Sequence, residues 1–429
     1  MSEFVNTSSQ QHYYHRDNCR LCLSTDICLA IPFKHTPIAE KYTSQPAINT
    51  PFFPVDLYMC NHCGHVQILD VIDPEYLWSD YTYHSGQTQG IIDHFKDVVN
   101  KIVYQHGPFK NNFVIDVGSN DGTLLRGFKA HDFKVLGIDP AKEIAQKATE
   151  SGIETIADLM TSLNAQKIVE QYGKADLVTA FNVFAHADEM KDLLKGITIT
   201  LDENGLFVFE VSYLKDIIDK MLIGTIFHEH LCNHSLTPLQ LFLAAEGLEI
   251  IHVEHVSIQG GSIIGFAQHK NGPRALQPSV KKMLEDEAKY KLHSIETMKH
   301  FISRFNMMKQ QVHTIISSIK SSHGVIAGYG AARSGPMLIA QFELETLIDE
   351  IYDDHPQKVG LYSPGDSILV KSTGSIISSK PELTVILAWI HAKNIVKKHI
   401  DYLEQNGMFL TISPEVQLIT KENYSEFIS

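Results

Sequence analysis

Two cysteine pairs near the start of the chain, Cys19-Arg-Leu-Cys22 and Cys60-Asn-His-Cys63, have the spacing of metal-binding knuckles. Four thiolates from two such hairpins suit a tetrahedral Zn²⁺, and a site closed by four cysteines leaves no position for a reacting water, so its role is structural. A redox CxxC uses the same spacing. Five of the six cysteines fall within the first 63 residues, however, which marks a local device rather than a disulfide framework.

A second group lies far downstream. Phe227-His-Glu-His-Leu-Cys-Asn-His234 brings His228, Glu229, His230 and His234 into one short segment. A zinc peptidase of the HExxH type needs histidine four residues after His228, where Cys232 stands, so that chemistry is excluded as written. The same density suits general acid–base work, in which a near-neutral imidazole moves a proton and a carboxylate orients it or balances its charge. His186, in Asn182-Val-Phe-Ala-His186, follows the strand-like run Leu177 to Ala180. It therefore falls at a carboxyl strand end, where open α/β sheets bind ligands. In a chain with 23 histidines, core or surface residues are the alternative reading.

The third group is Val114-Ile-Asp116-Val-Gly118-Ser-Asn120-Asp-Gly122, a strand running into a glycine turn and a helix start. The next strand ends Gly-Ile-Asp139-Pro, which puts an acid where ribose hydroxyls sit in dinucleotide folds. The turn lacks GxGxxG and fits the nucleoside loop of an S-adenosylmethionine site, with Asp158 after Ile153 to Ala157 as an acceptor for the adenine amine. A plain strand-to-helix turn is the alternative. A second glycine turn, Gly328-Tyr-Gly330-Ala-Ala-Arg333-Ser-Gly335, opens another strand–turn–helix unit.

These groups need elements to hold them. Strand-like runs at Phe113 to Val117, Val135 to Ile138, Leu177 to Ala180, Leu206 to Glu210 and Ile263 to Ala267 alternate with helical stretches, which predicts an α/β fold. A polar helical pattern from Leu276 to Lys320 then leads to further strands at Leu347 to Tyr352 and Thr384 to Trp389. The expected organisation is an N-terminal zinc-binding module over 1–75, a central Rossmann-like class I methyltransferase domain over 76–270, and a second Rossmann-like domain over 271–429. At 429 residues the chain is long enough for two or three such cores. A net charge of −14 without a basic run argues against a nucleic-acid partner. No run approaches the length of a membrane helix and the first residues are polar, so no membrane partner and a cytoplasmic location are expected.

Taken in order, the motifs resemble those of the S-adenosylmethionine-dependent sugar C-methyltransferases, which act on nucleotide-linked 4-keto-6-deoxysugars. The likeness includes both knuckles, Tyr81-Thr-Tyr83-His-Ser85, the Asp116 to Gly122 loop, Asn182 to His186, Glu210-Val-Ser-Tyr213, His228-Glu229-His230, Gly260-Gly-Ser262, Gly328-Tyr329-Gly330-Ala331, Lys358-Val-Gly360 and Ala388-Trp389. The resemblance implies His230 as the base, with Glu229 and His186 beside it. It implies Asp116, Gly118, Asn120, Gly122, Asp139, Asp158, Ser85 and Asn182 around S-adenosylmethionine, and a dTDP-linked sugar held by Tyr81, Tyr83, His228, Tyr213, Tyr329, Gly330, Arg333 and Lys358. A monomer or weak homo-oligomer is expected. Three positions depart from the family: Phe227 replaces tyrosine and has no hydroxyl to donate, Gln259 replaces histidine, and Arg333 replaces lysine. Methylation of oxygen or nitrogen, or a binding protein without activity, are the competing readings.

Overall fold

The apolar, β-branched run Phe113–Val117 is buried at every position, as a strand covered on both faces must be. In the computed structural model, which describes residues 12–47, 49–78, 89–320 and 324–429, it is the middle one of the five parallel strands in a seven-stranded sheet. Five strands run parallel: Phe113–Val117, Lys134–Ile138, Thr155–Ile156, Ala175–Phe181 and Leu201–Ser212. Their spatial order is third, second, first, fourth, fifth. The edge beyond the fifth carries Ser262–His269, antiparallel to it, and then Leu248–Val256, antiparallel in turn to Ser262–His269. This is the class I methyltransferase layout expected above. Leu248–Val256 escaped the sequence reading because His252, Glu254 and His255 interrupt its apolar run.

The last third of the chain repeats the plan. Strands Ile326–Tyr329, Glu350–Asp353, Val370–Ser372, Leu383–Ile386 and Phe409–Thr411 are parallel in the same order, and Gln417–Ile419 closes the edge antiparallel. The long polar helix expected before it is broken in two, Pro278–Tyr290 and Ile295–Ile319. Lys291 turns left-handed at φ 56, and the Ser294 hydroxyl accepts from the Thr297 amide to start the second helix.

The cysteine region is not a self-contained sheet. Ile27–Ile31, Leu57–Cys60 and Val66–Ile68 form an antiparallel set whose fourth strand is Cys232–Asn233, from the histidine segment of the central domain. A two-residue strand has no periodicity to read, so this addition was invisible in the sequence.

Candidate active site

The glycine turn after Phe113–Val117 is held in the shape the sequence suggested. Gly118 has φ 69, and a Cβ there would lie 2.5 Å from Val183, so only glycine fits. Its amide donates to the Ile138 carbonyl at 2.8 Å. Asp139 closes the next strand; one carboxylate oxygen accepts from the Asn120 amide at 2.9 Å and the other from the Ala141 amide at 2.9 Å. Asp116 is buried, accepts from the Thr179 hydroxyl at 2.6 Å, and is pushed by burial up to about 7. Asn182, left-handed at φ 57, donates through Nδ2 to Glu210, which also pairs with His94 at 2.5 Å. His94 was not singled out in the sequence; a lone histidine on a helix gives no signal. Gly122 is left-handed at the helix start, and Asp158 is exposed beyond Thr155–Ile156.

The C-terminal domain reproduces this cradle. Gly330, at φ 105, donates its amide to the Tyr352 carbonyl at 2.8 Å. Asp353, closing the second strand, accepts from the Ala331 amide at 2.7 Å and the His355 amide at 2.7 Å. Asp353 thus stands to Gly330 as Asp139 stands to Gly118. The sequence reading named Gly330 but not Asp353, although an acid ending the following strand was the available signal.

The histidine segment meets the C-terminal domain through Glu229 and Arg333. Residues 227–230 form a turn, closed by His230 N to Phe227 O at 2.8 Å, so His228 and His230 do not share a face. His230 and His186 meet edge to face with ring centroids 5.1 Å apart, and the Phe227 ring covers His230 at 4.0 Å. His230 Nδ1 lies 2.6 Å from the Thr225 carbonyl, and His186 Nδ1 lies 2.8 Å from the Glu229 carbonyl. A carbonyl only accepts, so both Nδ1 atoms carry the proton and both Nε2 atoms present a lone pair. Burial, then the neighbouring imidazole, brings His230 down to about 3; burial brings His186 down to about 4. Both rings are therefore neutral at pH 7. His228 turns the other way, buried against Phe53 with Nε2 3.3 Å from its carbonyl.

Glu229 faces the C-terminal domain. Its carboxylate accepts from Arg333 Nη1 at 2.6 Å, while Glu40 lies 3.5 Å from Arg333 Nε and 2.9 Å from Lys358 Nζ. Burial outweighs Arg333 and lifts the Glu229 carboxyl to about 7. All three parts of the chain meet in this charged cluster. Two other expected substrate residues point elsewhere. The Tyr329 hydroxyl pairs with His399 at 2.8 Å inside the C-terminal core, and Tyr213 is buried beside His255 with its hydroxyl towards Glu287. Tyr81, Tyr83 and Ser85 lie outside the described residues.

Comparison with known proteins agrees with this geometry. Residues 19–78 match the family model of a zinc binding domain, 94–253 that of a methyltransferase domain, and 257–414 that of a C-methyltransferase C-terminal domain. The chain is 30% identical over 410 residues to the C-methyltransferase NovU of Streptomyces niveus, covering 95% of this chain and 98% of the relative. The chain belongs to the C-methyltransferase family. Solved structures are similar over less of it. The magnesium protoporphyrin IX methyltransferase of Synechocystis, with bound SAH, is 17% identical, with 46% of this chain and 92% of that one covered and a TM-score of 0.34. The PH0226 protein of Pyrococcus horikoshii is 16% identical, with 46% and 99% covered and a TM-score of 0.36.

The C-methyltransferase uses S-adenosylmethionine and carries a zinc site, and its own residues suit both. The four sulfur atoms of Cys19, Cys22, Cys60 and Cys63 lie within 4.8 Å of one another, with Cys19 to Cys63 at 3.7 Å and Cys22 to Cys60 at 3.5 Å. A ZnS₄ tetrahedron with bonds of about 2.3 Å has edges of about 3.8 Å. Asp139, buried at the strand end beside the Gly118 turn, is the carboxylate that would meet the ribose hydroxyls of the bound cofactor. No helix among the described residues is long and apolar enough to cross a membrane.

Proposed function

We propose that this C-methyltransferase methylates carbon 3 of a nucleotide-linked 4-keto-6-deoxysugar, most simply a dTDP-sugar, within cytoplasmic deoxysugar biosynthesis. The observation that supports it best is the tautomer of His230, whose Nδ1–H is tied to the Thr225 carbonyl so that its Nε2 carries the lone pair. A ketone at carbon 4 acidifies the hydrogen at carbon 3. His230 takes that proton through Nε2, and the imidazolium so formed stabilises the oxyanion that develops at carbon 4, with the His186 ring packed edge to face against it. Phe227 supplies no proton and instead excludes water from the His230 ring, which strengthens charge interactions there. S-adenosylmethionine, held at Gly118 and Asp139, supplies the electrophilic sulfonium methyl that a carbanion takes up.

The nucleotide half of the substrate is assigned to the C-terminal cradle. Gly330 and Asp353 repeat the arrangement of Gly118 and Asp139, and Arg333 and Lys358 add two cations suited to a diphosphate. Glu229, tied to Arg333, joins the nucleotide end to the base loop. Incubation with S-adenosylmethionine and a panel of nucleotide 4-keto-6-deoxysugars, read by mass spectrometry and carbon NMR, tests the reading. A new methyl on carbon 3 is expected. Methyl transfer only to oxygen or nitrogen, or to no nucleotide sugar in the panel, would overturn it.

A further inference from the structure

The two metal knuckles each hold one of the two histidine segments. Arg20 sits inside the first knuckle, between Cys19 and Cys22, and is 1% exposed. Its Nε donates to Asp188 at 2.9 Å, and its Nη1 donates to the Ile68 carbonyl at 2.5 Å and to Gln67 Oε1 at 3.2 Å. Asp188 is two residues past His186. The Tyr14 hydroxyl and Arg16 Nη1 donate to the same carboxylate, so one acid gathers three donors from the N-terminal module.

The second knuckle reaches the other histidine. Beyond Cys63 the chain enters Val66–Ile68, which pairs with Cys232–Asn233 in the register Gln67 to Cys232 and Val66 to Asn233. The Ile68 amide also donates to the Leu231 carbonyl at 2.9 Å, one residue from His230. A third tie joins the segments to each other, Cys232 N to Ala185 O at 3.1 Å. The thiolate cluster thus fixes Arg20 relative to Val66–Ile68, and those two fix the segments bearing His186 and His230.

We propose that the four-cysteine zinc site is a positioning part of the active centre, with Arg20 and Asp188 as the positioning residues that set the His186–His230 separation. Its catalytic consequence rests on the reading of this pair as the proton-handling groups. Removing the metal frees the two knuckles from one another. The imidazoles then lose their common frame while the Gly118–Asp139 cradle, built by the central sheet, keeps its shape.

The test uses the zinc-loaded full-length protein and Asp188→Asn, a change outside the knuckles at a side chain 21% exposed. Metal content, SAH affinity by calorimetry, turnover, and the ¹⁵N imidazole spectrum of histidine-labelled protein are measured, with His186 and His230 assigned by single substitution. Expected are wild-type zinc content and SAH affinity, displaced resonances for both imidazoles, and turnover lowered roughly 10²-fold, the scale of a displacement of about 1 Å. Zinc-chelated wild type should show the same displaced resonances. Unmoved imidazole resonances in both samples, or SAH affinity falling in step with turnover, overturn the proposal. If His230→Ala keeps full turnover, the base reading fails, and the resonances still report whether the knuckles hold the histidines.

Discussion

His186 and His230 lie 44 residues apart in the chain, yet the Nδ1 of His186 is bonded to the carbonyl of Glu229, the residue before His230. One histidine is therefore oriented by the backbone of the other's loop. If His230 Nε2 removes the proton at carbon 3, His230→Ala should cut turnover by roughly 10² to 10⁴, the worth of a positioned base. SAH affinity should hold, since the Gly118–Asp139 cradle is separate. Steady-state kinetics beside calorimetry decides it; an active His230 variant with an inactive His186 variant moves the base to His186.

Arg333 should matter more for its charge than for its shape. Glu229 is only 6% exposed and its partner is Arg333 Nη1. Arg333→Ala leaves that carboxylate buried without its cation, a loss of about 3 kcal/mol in unfolding free energy. Arg333→Lys, which keeps the charge, should lose less than half as much. Chemical denaturation of the two variants checks this; equal losses would mean that the guanidinium's packing dominates.

How much of this was legible beforehand follows the range of the interactions. The Cys19–Cys22 and Cys60–Cys63 knuckles and the Gly118 turn are local patterns, so spacing alone revealed them. Arg20 to Asp188, Glu40 to Arg333, and the strand addition of Cys232–Asn233 join distant segments, and no local pattern carries such pairings. The opposite aim of His228 and His230 has a more local cause: a turn at 227–230 breaks the two-residue alternation that an extended chain would give, and four residues carry no period from which to read it.

His228 gives the protein an acid-sensitive seam between the N-terminal module and the central domain. It is 3% exposed, and burial lowers it to about 4, with His35 the nearby titratable group adding to the effect. The unfolded histidine titrates near its ordinary value of about 6.5. The unfolded state therefore binds more protons below that value, so stability is full above about pH 6.5 and falls as pH drops towards 4. Between pH 7 and pH 5 this one group should cost about 2 kcal/mol. The His228→Gln variant, which cannot protonate, should lose correspondingly less over that range. Urea unfolding of both zinc-loaded proteins at the two pH values measures the difference, and parallel losses would remove His228 from the account.

The paired cradles make the sharpest demand on the two Rossmann-like domains, because the same substitution should do different things in each. Asp139 and Asp353 each end the second strand of their sheet, each accepting one amide from the glycine turn and one from the residue two places further on. Asp139→Ala should weaken SAH binding by about 1.5 to 3 kcal/mol, the range for hydrogen bonds to a charged group, and leave dTDP binding alone. Asp353→Ala should weaken dTDP binding by a similar amount and leave SAH alone. Each variant also controls for the other, since a turn that merely lost its shape would be expected to spoil its own domain's melting before its neighbour's ligand. Calorimetric titration of both ligands into both variants gives four affinities. Loss of SAH binding in Asp353→Ala, or unchanged dTDP binding in it, would take the nucleotide out of the C-terminal cradle and return it to the junction of Glu40, Arg333 and Lys358.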